Sequence, residues 1–500
     1  MRPNRGVHLL SAALIGVALY FVAIPEARAV PSFSRKYHTS CQTCHTVYPV
    51  LNAFGEAFRR DGYRFPSNAG SVDSDVEKAE AIELGQEQYK KLFPQAVWPD
   101  KITESVPLSV WLNGELPMNI PGSDAHAAAG NTFTWGGIVT EMHIFGAGAF
   151  TDTLTYMTQL TMETNFGDPS GGLDVETAYI LWNDIAGPGH LLNLWVGRLF
   201  APQLTSYGLH SSYLSDTVMP GVAVGSLYNP SAGFTLGQGH TDGAEINGIA
   251  GHRLGYSLGW VASSTATGLS MPNAEDVYAH VGVKLGGMSL DGEGAGGTAP
   301  SDPLKPWAEN SVTFDVFGYH GLSRLDNGTG TIAGGAATPI QQDDRINALG
   351  GVIHAQVGSL VVMAGVNLER HDRPYPGSGA TANPSGGLFN GVPSFANATS
   401  VVQYDEINYI VWPWLVPGVR AEYTHATVDG GSPAQLLRII PGIAFLPRPN
   451  IRLILTGDLQ YASNLPPVGG WDAAGGVVAP AAGTTKFEAE TITLKLGVGF

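Results

Sequence analysis

Apolar and polar side chains alternate with a period of two over most of the chain after residue 100. The last ten residues, TITLKLGVGF, put Ile492, Leu494, Leu496, Val498 and Phe500 on one face of a strand. Thr491, Thr493, Lys495, Gly497 and Gly499 fall on the other. The dyad returns in SVPLSVWLNGEL, with Val106, Leu108, Val110 and Leu112 on one side, and in TLTYMTQLTMETNF. It returns again in NIRLILTGDLQYAS, where Ile451, Leu453, Leu455 and Leu459 oppose Arg452, Thr456, Asp458 and Gln460. The pattern predicts strands near 103–116, 132–149, 151–166, 173–186, 190–199, 243–251, 253–265, 275–286, 309–322, 343–357, 359–371, 400–412, 417–429, 434–446, 449–463 and 484–500.

Segments of roughly ten residues with this dyad are the signature of a transmembrane barrel, and a terminal aromatic on the apolar face resembles the closing strand of bacterial outer-membrane barrels. The connections agree. Those near 149–150, 186–189, 251–252 and 358 are short, whereas 200–242, 323–342, 372–399 and 464–483 are long and rich in Gly, Pro, Ser and Asn. Tight periplasmic turns alternating with extended outer loops produce this rhythm. The stretch 287–308 breaks it, being long where a short turn is due, and suggests a misplaced strand nearby. An even strand number puts both barrel ends, and the segment before them, on the periplasmic side. A soluble sandwich of two sheets is the competing reading. The 65 glycines and 14% charged residues favour a barrel, because lipid-facing positions exclude charge and small inward residues leave room in the lumen. The sheet must close, since unpaired backbone cannot face hydrocarbon, and a barrel of this size encloses a lumen for water or a plug.

Composition adds an address and removes a class of partner. Arg2 and Arg5, the apolar run Leu9–Ile24 and Ala27-Arg28-Ala29 make residues 1–29 a cleavable export signal. No run of 18 apolar residues follows, so helical spans are excluded. The whole chain carries −17; the signal contributes +2, leaving the mature protein near −19. That balance argues against nucleic acid and attracts cations. Acidic positions such as Glu141, Glu163, Asp315 and Glu422 are candidates for such attraction.

Residues 30–100 differ from the barrel region 101–500. SCQTCH contains both cysteines of the chain, Cys41 and Cys44, with His45 immediately after. In an exported chain, C-x-x-C-H reads as attachment of one haem c: two thioethers to the porphyrin and the adjacent imidazole as proximal iron ligand. A zinc site lacks further cysteines, a disulfide across two residues would close a very small loop, and a thioredoxin-like pair lacks its βαβ surroundings. His38 is the nearest candidate for the distal iron position. Met118, His126 or His143 can serve only if the haem sits inside the barrel, and a five-coordinate iron is the remaining option. YPVLNAFGEAFRRDGY spaces Leu51, Phe54 and Phe58 as an amphipathic helix, and SDVEKAEAIELGQEQYKKLFP predicts a second helix that Pro94 stops. About 70 residues are marginal as a free domain, so the segment is expected to plug the lumen.

Phe33, Arg35, the C-x-x-C-H motif, Pro49, Leu51-Asn52, Phe54-Gly55, Phe58 and Gly62-Tyr63 together resemble the fused outer-membrane monohaem cytochrome–porins, whose best-known members are iron-oxidising cytochromes. Glu56 stands where that family commonly has a basic residue, and Arg59 replaces its usual Lys. The resemblance implies an all-β transmembrane outer-membrane barrel of about sixteen strands with a small N-terminal helical haem segment. It implies electron transfer from extracellular Fe(II) or a similar donor to a periplasmic c-type cytochrome or similar carrier, with outer-membrane lipid around the barrel. Such a protein carries electrons rather than working as an ordinary enzyme. Outward transfer to extracellular metals and a solute porin gated by a redox-sensing segment are the alternatives.

Overall fold

The computed structural model describes residues 32–37, 39–48, 50–65, 81–83, 91–92, 94–95, 101–103, 108–120, 141–151, 153–163, 172–200, 212–214, 240–262, 276–293, 305, 307–331, 337–372, 388–389, 392–393, 397–429, 433–463 and 486–499. The export signal, Pro49, His38, His126 and Phe500 lie outside them. Sixteen antiparallel strands form a closed barrel. They are β1 (Leu108–Asn119), β2 (Glu141–Ala149), β3 (Leu154–Glu163), β4 (Leu173–Trp182), β5 (Asn193–Phe200), β6 (His240–Ala250), β7 (Leu254–Val261) and β8 (Asp276–Gly286). There follow β9 (Glu309–Thr331), β10 (Ala337–Gly358), β11 (Leu360–Asp372), β12 (Ala398–Tyr409), β13 (Leu415–Val428), β14 (Ala434–Arg448), β15 (Ile451–Ser463) and β16 (Lys486–Gly499). β16 closes the ring on β1, with Leu494 opposite Leu116 and Gly499 opposite Trp111. Each predicted strand overlaps one of these, although Thr103, the first residue of the first prediction, pairs with Ala81 outside the barrel.

The two faces are inverted relative to a water-soluble protein. Along β8, Val277, Val281 and Leu285 are exposed, while Asp276, Tyr278, His280 and Lys284 are buried. Leu258, Trp260, Val316 and Leu349 stand on the same outer surface, each more than half exposed. Burying a side chain of this size is worth about 1.5–3 kcal/mol, so the outer wall in water would forfeit tens of kcal/mol. A hydrocarbon surround removes that cost, and closure leaves no strand edge in it. Outward Trp182, Tyr409 and Trp414 border the short-turn end, and Trp260 and Tyr461 the other, as expected of interfacial aromatic girdles. The protein is a bacterial outer-membrane barrel.

Two expectations need correction. β8 and β9 stand where the dyad puts them, so the long sequence between them at the short-turn end reflects no misplaced strand. The segment folds back on its neighbour, His252 Nδ1 lying 2.6 Å from Asp291 Oδ2. Arg253 donates to the carbonyls of Gly286 and Gly287. The second predicted helix fails at its centre, where Ala81–Glu83 is extended and pairs antiparallel with Lys101–Thr103. Partner-strand hydrogen bonds there override a helical spacing that nothing else supports.

Candidate cofactor site in the lumenal plug

Residues 32–65 pack inside the short-turn end of the barrel. Helix α1 (Ser32–Lys36) leads into a 3-10 turn, Cys41–Thr43, which Ser40 caps by accepting from the Gln42 N–H at 3.3 Å. Both cysteines lie on this turn, half-buried and not joined in a disulfide. His45 opens a small hairpin in which His45–Val47 pairs with Val50–Leu51. Helix α2 (Ala53–Arg60) follows, with Asn52 at its N-cap.

Asn52 joins the helix to the cysteine turn. Its Oδ1 accepts from the Gly55 N–H at 3.0 Å, an N-cap bond. Its Nδ2 donates to the carbonyls of Gln42 and Thr43, both at 3.1 Å. Its own N–H donates to the Cys44 carbonyl at 2.9 Å. Gly55 completes the clamp, because a Cβ there would stand 2.1 Å from the Cys44 carbonyl oxygen. The Leu-Asn-x-Phe-Gly run is thus the part that holds the C-x-x-C-H backbone against α2. The helix's apolar side gathers the segment's own rings: Phe58 lies 4.9 Å from Phe33, 5.6 Å from Phe65 and 5.9 Å from Tyr37. Burial pushes the Cys44 thiol up to about 12, with Cys41 adding a smaller push.

Three contacts lock this module to the wall. The first is apolar: Val47 and Val50 join inward-facing Val361, Val416, Ala444 and Ile454 in one cluster. Those wall positions sit near the short-turn ends of β11, β13, β14 and β15. They break the polar inward alternation because plug rather than water covers them.

The second contact is aromatic. The Tyr48 ring lies 4.9 Å from the His45 ring and 4.0 Å from Trp111 on β1. Trp111 lies across Gly497 and Gly499 of β16, where added Cβ atoms would approach it to 2.1 and 3.0 Å. Arg452 sits 5.5 Å from the Trp111 ring and donates to the Tyr48 carbonyl at 3.3 Å. Burial pushes the Tyr48 phenol up to about 12.

The third contact is ionic. Arg64 of the plug reaches Asp61 at 2.7 Å and Asp184, in the β4–β5 turn, at 3.1 Å. His190 of the same turn places Nδ1 3.4 Å from Asp61 and 3.2 Å from Asp184, with Glu293 at 3.9 Å from Nε2. Burial opposes charge on His190, but the Asp184 hydrogen bond and the surrounding carboxylates outweigh it and raise its pKa to about 9. Burial raises Asp61 to about 7, against the pull of Arg64 and His190. For Asp184, His190 and Arg64 outweigh desolvation and lower the pKa to about 2. Nearby, Tyr63 meets Tyr179 of β4 hydroxyl to hydroxyl at 3.1 Å.

The remaining predicted groups divide clearly. Met118 pairs with Ile492 on the lipid-facing side, which removes it as a ligand inside the lumen. His143 faces inward but is engaged by Thr161 at 2.8 Å and Glu141 at 3.2 Å. Asp315 is held by His280 at 2.9 Å. Glu422 bridges Arg420 at 2.6 Å and Arg438 at 2.9 Å. Glu163 is paired in β3 by its backbone, and its side chain lies outside the described set. Of the four acidic candidates, Glu141, Asp315 and Glu422 therefore carry cationic or imidazole partners. Glu406, Arg420, Glu422, Arg438 and Asp458 form an alternating ladder across β12–β15. Its inward Arg-x-Glu signal, two residues apart on one strand, was present in the sequence.

No protein-family description matches the chain, and no curated protein does. Among solved structures it is similar to OmpT of Vibrio cholerae, at 12% identity and a TM-score of 0.47, over 79% of this chain and 97% of that one. Salmonella typhi OmpF in complex with daunomycin scores 0.45 at 12% identity, over 79% and 97%. An anion-selective porin from Comamonas acidovorans scores 0.45 at 12% identity, over 79% and 98%.

Proposed function

We propose that this barrel carries electrons across the outer membrane through a single haem c held by its plug, as in the monohaem cytochrome–porins that the N-terminal segment resembles. One observation carries the reading: a C-x-x-C-H turn built into a segment locked inside a lipid-embedded cylinder. The donor set fits the group. Cys41 and Cys44 share one turn and are free of each other, and His45 follows with its ring beside Tyr48. Bound there, haem c supplies a one-electron Fe(III)/Fe(II) couple.

The chain's own residues do the rest. Cys41 and Cys44 would hold the porphyrin edge and His45 the iron. Asn52 and Gly55 fix the backbone of that turn, so the imidazole is presented in a set direction. Tyr48, bedded on Trp111, restrains the His45 ring from the other side. Because the plug contacts the first few residues of β11, β13 and β15, the turn lies towards the periplasmic mouth. A periplasmic c-type carrier can approach it directly, whereas an outer donor must travel down the lumen. That favours a small soluble donor such as Fe(II) over a solid mineral. An apolar band of about 25 Å otherwise separates the two sides.

The test uses the oxidised, purified protein from a host competent for cytochrome maturation. Adding Fe(II) should convert its absorption to that of ferrous haem c. No conversion at any pH between 3 and 8 would remove Fe(II) as donor. A colourless product would remove the haem.

A further inference from the structure

The outer wall carries a second feature at the opposite end. A shallow groove of about 630 Å³ runs over the lipid-facing side of β7–β12, near the long-loop rim. Its floor exists because two register partners lack bulk, Ala279 on β8 and Gly318 on β9. A Cβ added at Gly318 meets only the Ala348 carbonyl oxygen, at 3.8 Å. Exposed Leu258, Val277, Leu349 and Leu368 form its sides.

Immediately rimward the chemistry changes within one register row. His320, Asn347, Arg370 and Thr399 lie directly opposite one another on four successive strands, β9 to β12. His320 Nδ1 is 2.8 Å from Asn347 Oδ1. Further out, exposed Arg345 lies opposite Asp372, which also holds Arg370 at 3.2 Å. Two guanidiniums against one carboxylate leave the row cationic in an otherwise strongly acidic protein. An apolar floor below a cationic edge is complementary to an acyl lipid with an anionic headgroup. At about 4.8 Å per strand, six strands span roughly 24 Å, wider than two acyl chains side by side. The long-loop end faces the outer leaflet.

We propose that this groove binds one molecule of a phosphorylated, multi-chain glycolipid of the lipid A type. Its acyl chains cover Ala279 and Gly318, and its phosphates rest on Arg345 and Arg370. Guanidinium binds phosphate through paired hydrogen bonds, which gives the edge its selectivity. The site stands independently of the plug and of any haem.

Native mass spectrometry of the full-length protein in detergent tests it. The probes are bisphosphorylated lipid A, its dephosphorylated form and phosphatidylglycerol. The wild type should retain one bisphosphorylated lipid A, at least tenfold more tightly than either other lipid. Gly318→Trp fills the floor and should weaken lipid A binding at least tenfold. The double variant Arg345→Gln/Arg370→Gln should lose the preference for phosphate while binding the dephosphorylated form as before. It changes only exposed side chains, so it decides the matter even if Gly318→Trp does not insert. Equal binding of lipid A and phosphatidylglycerol, or a double variant that keeps the phosphate preference, would overturn the proposal.

Discussion

Replacing His190 by Gln should convert a pH-dependent plug into one that is loose throughout. The side chain is 5% exposed and sits among Asp61, Asp184, Glu293 and Arg64. Its pKa rises from 6.5 to about 9; Asp184 of its own turn supplies part of that rise, so at 1.36 kcal/mol per unit the share that depends on Asp61 of the plug is at most about 3 kcal/mol. A raised pKa means that this contribution is complete below 6.5 and fades as pH climbs through 9. Asp61, raised to about 7, acts with the same sign over roughly pH 4 to 7, because its buried carboxyl prefers the proton. Asp184, lowered to about 2, has the opposite sign and weakens docking only as pH falls from about 4 towards 2. Docking is therefore tightest near pH 4 and loosens as pH rises, first through Asp61 and then through His190. In planar bilayers the wild type should show an open-lumen probability that rises by as much as about a hundredfold between pH 6.5 and 9. His190→Gln should start high and stay flat across that window. A wild-type conductance independent of pH from 6 to 9, or a variant that keeps the wild-type profile, would refute the reasoning.

Gly55→Val forces a side chain into the Cys44 carbonyl, 2.1 Å from the added Cβ. Haem incorporation, read from covalently bound haem on denaturing gels, should drop at least tenfold while the barrel keeps its heat-modifiable mobility. Arg420→Met removes the centre of the ion-pair ladder and leaves Glu406 and Glu422 facing each other. A loss of about 3–5 kcal/mol is expected for such an uncompensated buried charge, seen as a lower unfolding temperature in detergent.

The barrel was legible because lipid outside and lumen inside impose opposite chemistry on alternate residues, and Val277 to Leu285 on β8 obey this without exception. The Asn52–Gly55 clamp was legible only as a motif; its purpose emerges when Gly55 meets Cys44. The ionic lock was not legible, since Asp61 and Arg64 stand some 120 residues from Asp184 and His190 and no spacing rule links them. Trp111 gave no signal for a similar reason. Its bed is Gly497 and Gly499, which in isolation read as small lumen positions. Inward Val416 and Ile454 depart from the polar inward face because they form the plug's apolar seat, which no local pattern announces. Extended pairing at Ala81–Glu83 was not legible because the helical spacing read there says nothing of Lys101–Thr103, the partner strand that overrides it.

Transfer across a closed bilayer tests the central claim most directly. Full-length protein in liposomes, with an oxidised c-type cytochrome trapped inside and Fe(II) outside, should reduce the trapped carrier at a rate proportional to protein content. Cys41→Ala/Cys44→Ala, equally well inserted, should fall to the rate of empty liposomes. Equal rates for wild type and that variant would contradict the account.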